Sequence, residues 1–215
     1  MKKLGGLLFC IAIFASAAFF FTREGSISDI QSFDEVDFSQ LGSPGALVLF
    51  DVDKTLIQPE DSYVRNADLH DVKYLLVEPS IIEKIDLLKN RQITVMAITA
   101  INTGKYWPYG LMEKRRYEHL KELGFEGDFH DLDFDIKDFK KHPVFYKGII
   151  ATDGEAKGPV LGIVLDRLSL KPTEIIMFDD RLSFLESVKA ECNRRLIPFH
   201  GYHYHGAQKL MESSD

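Results

Sequence analysis

The chain has 215 residues, a formal net charge of −7 and an apolar fraction of 45%. Its length suits one ordinary domain preceded by a leader, and its composition is that of a globular protein. The acidic balance argues against general nucleic-acid binding, because that activity needs Lys and Arg side chains to neutralise phosphates.

The beginning of the chain has the pattern of an export signal. Lys2 and Lys3 precede an apolar run over residues 4–21, and Ala15-Ser16-Ala17 offers a cleavage site. This pattern predicts a secretory signal peptide over residues 1–23. The run of about 18 residues is alternatively long enough to remain as a membrane anchor. Either interpretation exports the domain from the cytoplasm, as a periplasmic, secreted or membrane-anchored protein.

The next segment, residues 24–45, is polar and is predicted to be a short helix followed by a linker, which could tether the domain or pack on its edge. Ile30, Phe33 and Val36 recur at three-residue spacing, which favours an amphipathic helix. The main domain is then predicted over residues 46–215. Its single cysteine, Cys192, has no partner outside the leader for an internal disulfide and is interpreted as a small buried residue.

The most informative stretch is an apolar run over residues 46–50 that ends in Asp51 and Asp53. Such a run predicts a buried strand of a parallel sheet, and ligands bind outside the carboxyl ends of these strands. The two carboxylates are therefore expected to face a site. A calcium loop is excluded, because it needs Gly and Glu where Leu56 and Ser62 stand. An Asp-rich turn without function remains the plain alternative.

The rest of the chain alternates between helical and strand patterns. In order, the predictions are a helix after a capping box at Ser80, a strand over residues 93–98, a helix over 111–123 closed by Gly124, a strand over 145–152, a helix over 157–168, a strand over 174–178, a helix from Leu182 and a last strand over 194–199. This alternation predicts an α/β fold with three layers, in which right-handed crossovers build a parallel sheet.

Several chemically active side chains follow the predicted strands or open a helix. They are Asp51, Asp53, Thr99, Lys157, Asp179 and Asp180. Each alone has an ordinary explanation, such as a helix cap, a solvated lysine or a turn. Because the carboxyl ends of parallel strands share one edge of the sheet, their joint occurrence in this order predicts an active site.

These motifs resemble those of the haloacid dehalogenase superfamily over roughly residues 46–199. The matching residues are Asp51-Val52-Asp53-Lys54-Thr55, Ile98-Thr99, Lys157-Gly158 and Asp179-Asp180. The chain is also similar to an uncharacterised branch of exported bacterial members. The resemblance implies a Rossmann-like sheet with little or no cap domain, since no long insertion follows the first two motifs. Lys54 departs from the pattern, because a Gly or a small polar residue is frequent there.

The resemblance implies a magnesium-dependent phosphatase that acts on a small phosphorylated substrate. Asp51 would attack phosphorus and form an aspartyl-phosphate, while Asp53 would protonate the leaving oxygen and then activate water. Thr99 and Lys157 would contact the phosphoryl oxygens and offset their charge. Mg²⁺ would be held by Asp51, the backbone carbonyl of Asp53, and the pair Asp179 and Asp180.

Two other functional classes stay open at this point. One is a non-catalytic domain of the same fold that binds a partner at the cell envelope. The other is a phosphotransferase or a protein phosphatase, because the loops choose the substrate and the acceptor. The segments over residues 58–78 and 101–114 are expected to set specificity, with Tyr63, Arg65, Tyr74, Lys105, Tyr106 and Trp107 at the pocket mouth. Alternatively, the aromatic side chains simply pack these loops.

Three histidines near the end of the chain have the alternation of a metal cluster. His200, His203 and His205 could bind zinc through imidazole nitrogens. Because no cysteine is nearby and no acid lies between them, they are interpreted as part of an exposed C-terminal segment.

Overall fold

The computed structural model describes residues 25–60 and 72–207 of the chain. The strands are β1 (Ser26–Ile30), β2 (Leu47–Phe50), β3 (Ile57–Pro59), β4 (Tyr74–Leu76), β5 (Thr94–Thr99), β6 (Lys105–Tyr106), β7 (Gly110–Leu111), β8 (Asp133–Asp135), β9 (Val144–Tyr146), β10 (Ile149–Ala151), β11 (Ile175–Asp179) and β12 (Phe199–Tyr204). The described α-helices are α1 (Ile81–Asn90), α2 (Met112–Glu122), α3 (Lys157–Arg167) and α4 (Leu182–Arg195).

The centre of the fold is an eight-stranded, mostly parallel sheet. Its order is β1-β12-β11-β2-β5-β10-β9-β8. The first six strands run parallel to one another, and β9 is antiparallel to both of its neighbours. Two hairpins, β3–β4 and β6–β7, lie outside this sheet. The predicted mixed α/β fold with a large parallel sheet is therefore confirmed.

Both faces of the sheet are covered, which explains the continuous apolar run of β2. Val48 and Phe50 pack on the face that α1 and α2 cover, whereas Leu47 and Leu49 pack against α3 and α4. Successive side chains of a strand point to opposite faces, so a central strand between two helical layers has to be apolar throughout. The result is the three-layer arrangement that the sequence predicts.

The elements that carry the predicted site residues lie where the sequence places them. The structure has β2, β5 and β11 within a residue or two of the predicted strands, and α3 begins at Lys157. Helix α1 also begins as predicted, at Ile81. The capping box is wrong, however, because Ser80 has helical backbone angles and its side chain makes no capping hydrogen bond.

The single strand predicted over residues 145–152 is wrong, because the chain reverses within it. Lys147 and Gly148 have φ values of 49° and 83°, and they join β9 to β10 as an antiparallel hairpin. Positive φ at both central residues is the signature of a type I′ turn, whose twist matches that of the flanking strands.

The last predicted strand, over residues 194–199, is also wrong. Helix α4 continues to Arg195 and ends at Leu196, which has a φ of 58° in the left-handed region. Arg194 and Arg195 both pair with Glu191 one helical turn earlier, and these ion pairs extend the helix. The following strand, β12, lies between β1 and β11. His200 and His203 therefore belong to an interior strand and not to an exposed C-terminal segment.

Residues 26–30 form the edge strand β1 of the sheet, so the first part of the segment predicted over residues 24–45 packs on the edge of the domain. The predicted helix is reduced to one 3₁₀ turn, Phe33–Glu35, which follows the edge strand β1. Phe33 is fully buried and stacks on Tyr204 with ring centroids 4.5 Å apart. Glu78 reinforces this contact by accepting hydrogen bonds from the Phe33 backbone N–H and the Tyr204 hydroxyl.

None of the helices in the described part of the chain combines the length and the apolar character needed to cross a bilayer. The predicted signal peptide or anchor, residues 1–23, lies outside the described residues and stays a prediction. Cys192 is buried as predicted, and burial raises the pKa of its thiol to about 12.

Candidate functional site

The candidate site lies at the edge of the sheet where the parallel strands end. Asp51 directly follows β2, whereas Thr99 and Asp179 are the last residues of β5 and β11. Because β2 lies between β5 and β11 in the sheet, these three residues come from adjacent strand ends. Lys157, the first residue of α3, approaches them from one helical layer. The structure thus brings together residues that are up to 128 positions apart, from Asp51 to Asp179.

Lys157 is the centre of this group. Its side chain is fully buried, and its Nζ donates hydrogen bonds to Oδ1 of Asp51 at 2.5 Å and to Oδ2 of Asp179 at 2.7 Å. The other oxygen of Asp179 accepts the backbone N–H of Arg181 at 2.9 Å. The ring of Phe184 covers the ammonium group at 4.5 Å. Lys157 is therefore a fixed cation that holds the two carboxylates in place.

Burial changes the acidity of these groups. It raises the pKa of Asp51 to about 8, against the opposing influence of the Lys157 ammonium. Burial raises the pKa of Asp179 as well. Burial alone would lower the pKa of Lys157, but the charges of Asp51 and Asp179 outweigh it and raise that pKa above 10.5. The lysine is therefore charged at every physiological pH.

Asp53 lies on the open side of the site and has two partners. Nη2 of Arg116 is 2.9 Å from its Oδ1, and the hydroxyl of Thr99 donates to its Oδ2 at 3.4 Å. Arg116 is buried on α2, and its guanidinium lies over the ring of Tyr74 at 5.0 Å. Nη1 of Arg116 is also buried and has no hydrogen-bond partner among the described residues. The arginine thus pairs with Asp53 through Nη2 and keeps one buried donor without such a partner.

Arg116 is a residue that the sequence analysis missed. It recurs with Glu113 and Leu120 at spacings of three and four residues, and all three are buried. Glu113 and Arg116 share the buried face of this amphipathic helix. Because buried charges are normally paired, this pattern could have indicated that Arg116 has an acidic partner. The pattern alone does not say which partner the buried arginine meets.

A pocket of about 250 Å³ opens at this edge. Its lining residues are Asp51, Asp53, Lys54, Thr99, Ala100, Ile101, Asp180, Arg181 and Phe184. Four of the residues predicted for the pocket mouth are described, namely Tyr74, Lys105, Tyr106 and Trp107, and none of them lines it. The side chain of Trp107 is 88% exposed. Tyr63 and Arg65 lie outside the described residues.

Lys54, which departs from the haloacid dehalogenase motif, lines the pocket. Its φ of 66° lies in the left-handed region, a conformation that suits Gly better than a residue with a side chain. Its backbone N–H donates to the carbonyl of Ile57. Burial raises the pKa of Asp180, and the charge of Lys54 opposes that rise. Lys54 therefore adds a cation to the lining of the pocket.

The carboxylates of the site have the donor chemistry of a hard divalent cation. Ligand atoms of Asp51, Asp179 and Asp180 lie within 4.8 Å of one another. Each carboxylate oxygen has two lone pairs, so Oδ1 of Asp51 can bind a cation together with Asp180 while it also accepts the hydrogen bond of Lys157. Mg²⁺ is usually held by one or two carboxylates and keeps several waters. The residues present therefore offer the oxygen ligands that a hard cation such as Mg²⁺ takes.

The buried cation predicts a specific change in stability. We expect Lys157→Met to lower the free energy of unfolding by about 3–5 kcal/mol at pH 7 in EDTA, because two buried carboxylates lose their counter-charge. Lys157 lowers the pKa values of Asp51 and Asp179, so these values should rise further in the variant. The deficit should therefore shrink as the pH is lowered towards about 4, where the unfolded chain also takes up protons.

Urea denaturation measures both effects. Lys171→Met removes an exposed lysine and is the matched control, with an expected change within about 0.5 kcal/mol. Equal stability of Lys157→Met and this control at pH 7 would contradict the role of Lys157 as a stabilising counter-ion.

The chain has relatives among known proteins. An uncharacterized protein of Rickettsia prowazekii, RP296, is 26% identical over 203 residues, which cover 79% of this chain and 73% of the relative. Among solved structures, DsGPDH of Dunaliella salina is similar with a TM-score of 0.41 and 20% identity over 75% of this chain. The match spans 24% of that structure, about a quarter of its length. A hypothetical protein of Geobacillus kaustophilus HTA426 has a TM-score of 0.32 and 13% identity, over 80% of this chain and 99% of that one.

These structural similarities are too low to carry an argument about function. A family match covers residues 66–214. It contains Thr99, Lys157, Asp179 and Asp180, and begins after Asp51 and Asp53. Because the match spans more than half of the chain, the protein belongs to the family described as "Protein of unknown function (DUF2608)".

Proposed function

We propose that the protein is a magnesium-dependent phosphoester hydrolase that acts through an aspartyl-phosphate on Asp51. The observation that supports this most strongly is the buried Lys157, which contacts both Asp51 and Asp179 at the carboxyl edge of the sheet. A fixed cation beside a pocket-lining carboxylate suits the transfer of an anionic group. The haloacid dehalogenase resemblance of the sequence motifs supports the same assignment.

Asp51 is the proposed nucleophile. It lines the pocket and is otherwise buried, and Lys157 holds its Oδ1. The second oxygen of the same carboxylate is then the one that attacks phosphorus. Lys157 also offsets part of the negative charge that gathers when a carboxylate meets a phosphoester. Mg²⁺, when bound by Asp51, Asp179 and Asp180, supplies further charge neutralisation of the phosphoryl oxygens.

Asp53 is the proposed acid and base. It lines the same pocket two residues after Asp51, so it can meet a phosphoester that is bound there. Its protonated form gives a proton to the leaving oxygen, and its ionised form then takes a proton from the attacking water. Arg116 fixes the orientation of this carboxylate through their ion pair. Arg116 is therefore a positioning residue for Asp53.

The size of the pocket limits what it can recognise. Its volume of about 250 Å³ is below the roughly 300–1,000 Å³ of common small-molecule pockets. As formed by the described residues, it suits a phosphoryl group and a few neighbouring atoms. The rest of a substrate would extend out of this pocket. The substrate can therefore be a small metabolite or a phosphorylated protein. A phosphotransferase would form the same aspartyl-phosphate and pass the phosphoryl group to an acceptor other than water.

A non-catalytic binding domain is the alternative from another functional class. It would need the fold and the anion-binding edge, but not a second acid beside the nucleophile. The presence of Asp53 in the pocket with its own cation, Arg116, favours the enzyme.

Hydrolysis of p-nitrophenyl phosphate by the purified protein tests the role of Asp51. We expect turnover with Mg²⁺ that falls to background with EDTA and in Asp51→Asn, because the nucleophile and its charge neutralisation are lost. Release of p-nitrophenolate measures the rate. Asp135→Asn, which changes an exposed carboxylate on β8 at the far edge of the sheet, is the matched control and should keep the wild-type rate. Wild-type turnover in Asp51→Asn would exclude the proposed nucleophile.

Steady-state kinetics of Arg116 variants test its role in positioning Asp53. We expect Arg116→Ala to lower kcat by about 10- to 100-fold, the loss of one charge-assisted hydrogen bond, with a smaller change in KM. Arg116→Lys should recover part of kcat, because a cation returns near Asp53. Arg115→Ala removes the same charge from the neighbouring position on α2 and serves as the control. If Arg116→Ala raised KM alone, Arg116 would be a substrate-binding residue and not a positioning residue for Asp53.

A further inference from the structure

A second group of metal-ligating side chains lies on the β1 edge of the sheet. Strands β1 and β12 run parallel, and their register places Asp29 beside His203. Oδ1 of Asp29 is 2.8 Å from Nδ1 of His203 and 2.9 Å from Nε2 of His205. The two imidazole rings are 4.1 Å apart between centroids, at an angle of 65°. One carboxylate oxygen and two imidazole nitrogens therefore converge on one small volume.

The other ring nitrogen of His203 has a partner outside this group. Its Nε2 is 3.2 Å from the backbone carbonyl oxygen of Asp180, which can only accept a hydrogen bond. Nε2 therefore carries a proton, and in the neutral ring Nδ1 then presents a lone pair to the carboxylate of Asp29. Either a proton or a metal ion can lie between Nδ1 and the Asp29 oxygen, and a metal ion would replace the proton of this contact. Anchoring of one ring nitrogen on a carbonyl is also the usual arrangement of a metal-binding histidine.

We propose that Asp29, His203 and His205 form a second metal site, which takes Zn²⁺ or a similar transition-metal ion. Imidazole nitrogen with one carboxylate suits such ions and does not suit Mg²⁺, which prefers oxygen ligands alone. Three protein ligands leave the fourth position of a tetrahedral ion open to solvent or a ligand. This site is separate from the pocket and does not depend on the proposed phosphatase activity.

The group can reach the geometry of a zinc site with a small movement. Ligand atoms of a tetrahedral zinc with bonds of about 2.0–2.1 Å lie about 3.3 Å apart. The present nitrogen–oxygen distances of 2.8 and 2.9 Å must therefore widen slightly. The side chain of Asp29 is 74% exposed and can rotate to allow this, whereas both histidines are largely covered. Binding would link the edge strand β1 to β12 through side chains as well as through the backbone.

The test is a count of bound zinc by equilibrium dialysis of the purified, metal-stripped protein, followed by elemental analysis. Millimolar Mg²⁺ is included to compete at the carboxylates of the pocket. We expect the wild type to bind one more zinc ion per chain than Asp29→Asn and His205→Ala. Each variant should lose at least about tenfold in zinc affinity at this site.

His200→Ala is the matched control. His200 lies on the same strand, but on the opposite face from His203, and its Nδ1 contacts the hydroxyl of Ser26 at 2.9 Å. The control should bind as much zinc as the wild type. Zinc should also raise the Tm of the wild type and of this control by more than that of the two site variants, because it binds the folded chain.

Equal zinc counts and equal zinc-induced Tm shifts in the wild type, Asp29→Asn and His205→Ala would overturn the proposal. Because neither readout involves phosphoester hydrolysis, failure here would leave the proposed function untouched. Co²⁺ in place of zinc adds a spectroscopic check, since a tetrahedral site with nitrogen ligands absorbs visible light more strongly than an octahedral oxygen site. Asp29→Asn and His205→Ala should lose this absorption.

Discussion

The ammonium group of Lys157 between Asp51 and Asp179 is the interaction on which the site depends. All three side chains are withdrawn from water, and a buried charge without a partner costs several kcal/mol. The ends of β2 and β11 and the start of α3 must therefore meet within hydrogen-bond distance in the folded chain. This requirement couples the sheet order to the chemistry, because only adjacent strands can place two carboxylates on one lysine.

Much of the site could be predicted from the sequence, because apolar strands end visibly at polar residues. Asp51, Thr99 and Asp179 follow such runs, and the parallel order of β5, β2 and β11 brings them together. Arg116 could not be assigned to the site in this way. Arg116 lies on α2, and the loop before this helix determines which of its faces meets Asp53. The path of that loop depends on tertiary contacts, which a local pattern does not predict.

The parts of the fold that were predicted wrongly depend on long-range pairing or on turn geometry. Strand β1 pairs with β12 across 174 positions between Ser26 and His200, and no local pattern reports such a partner. The same pairing brings Asp29 to His203, which supplies the acid that the sequence analysis found missing beside the histidines. The β9–β10 hairpin was missed because Lys147-Gly148 is a weaker turn signal than Asn-Gly.

The proposed phosphoryl group on Asp51 can be trapped chemically. The protein would be quenched with acid during turnover of a phosphoester and reduced with borohydride, which converts an aspartyl-phosphate to homoserine. Mass spectrometry of the peptide that contains Asp51 would then locate the change. We predict homoserine at position 51, dependent on Mg²⁺ and on substrate, with Asp53 unchanged. Turnover without homoserine at position 51, or with the change at another carboxylate, would contradict the proposed mechanism.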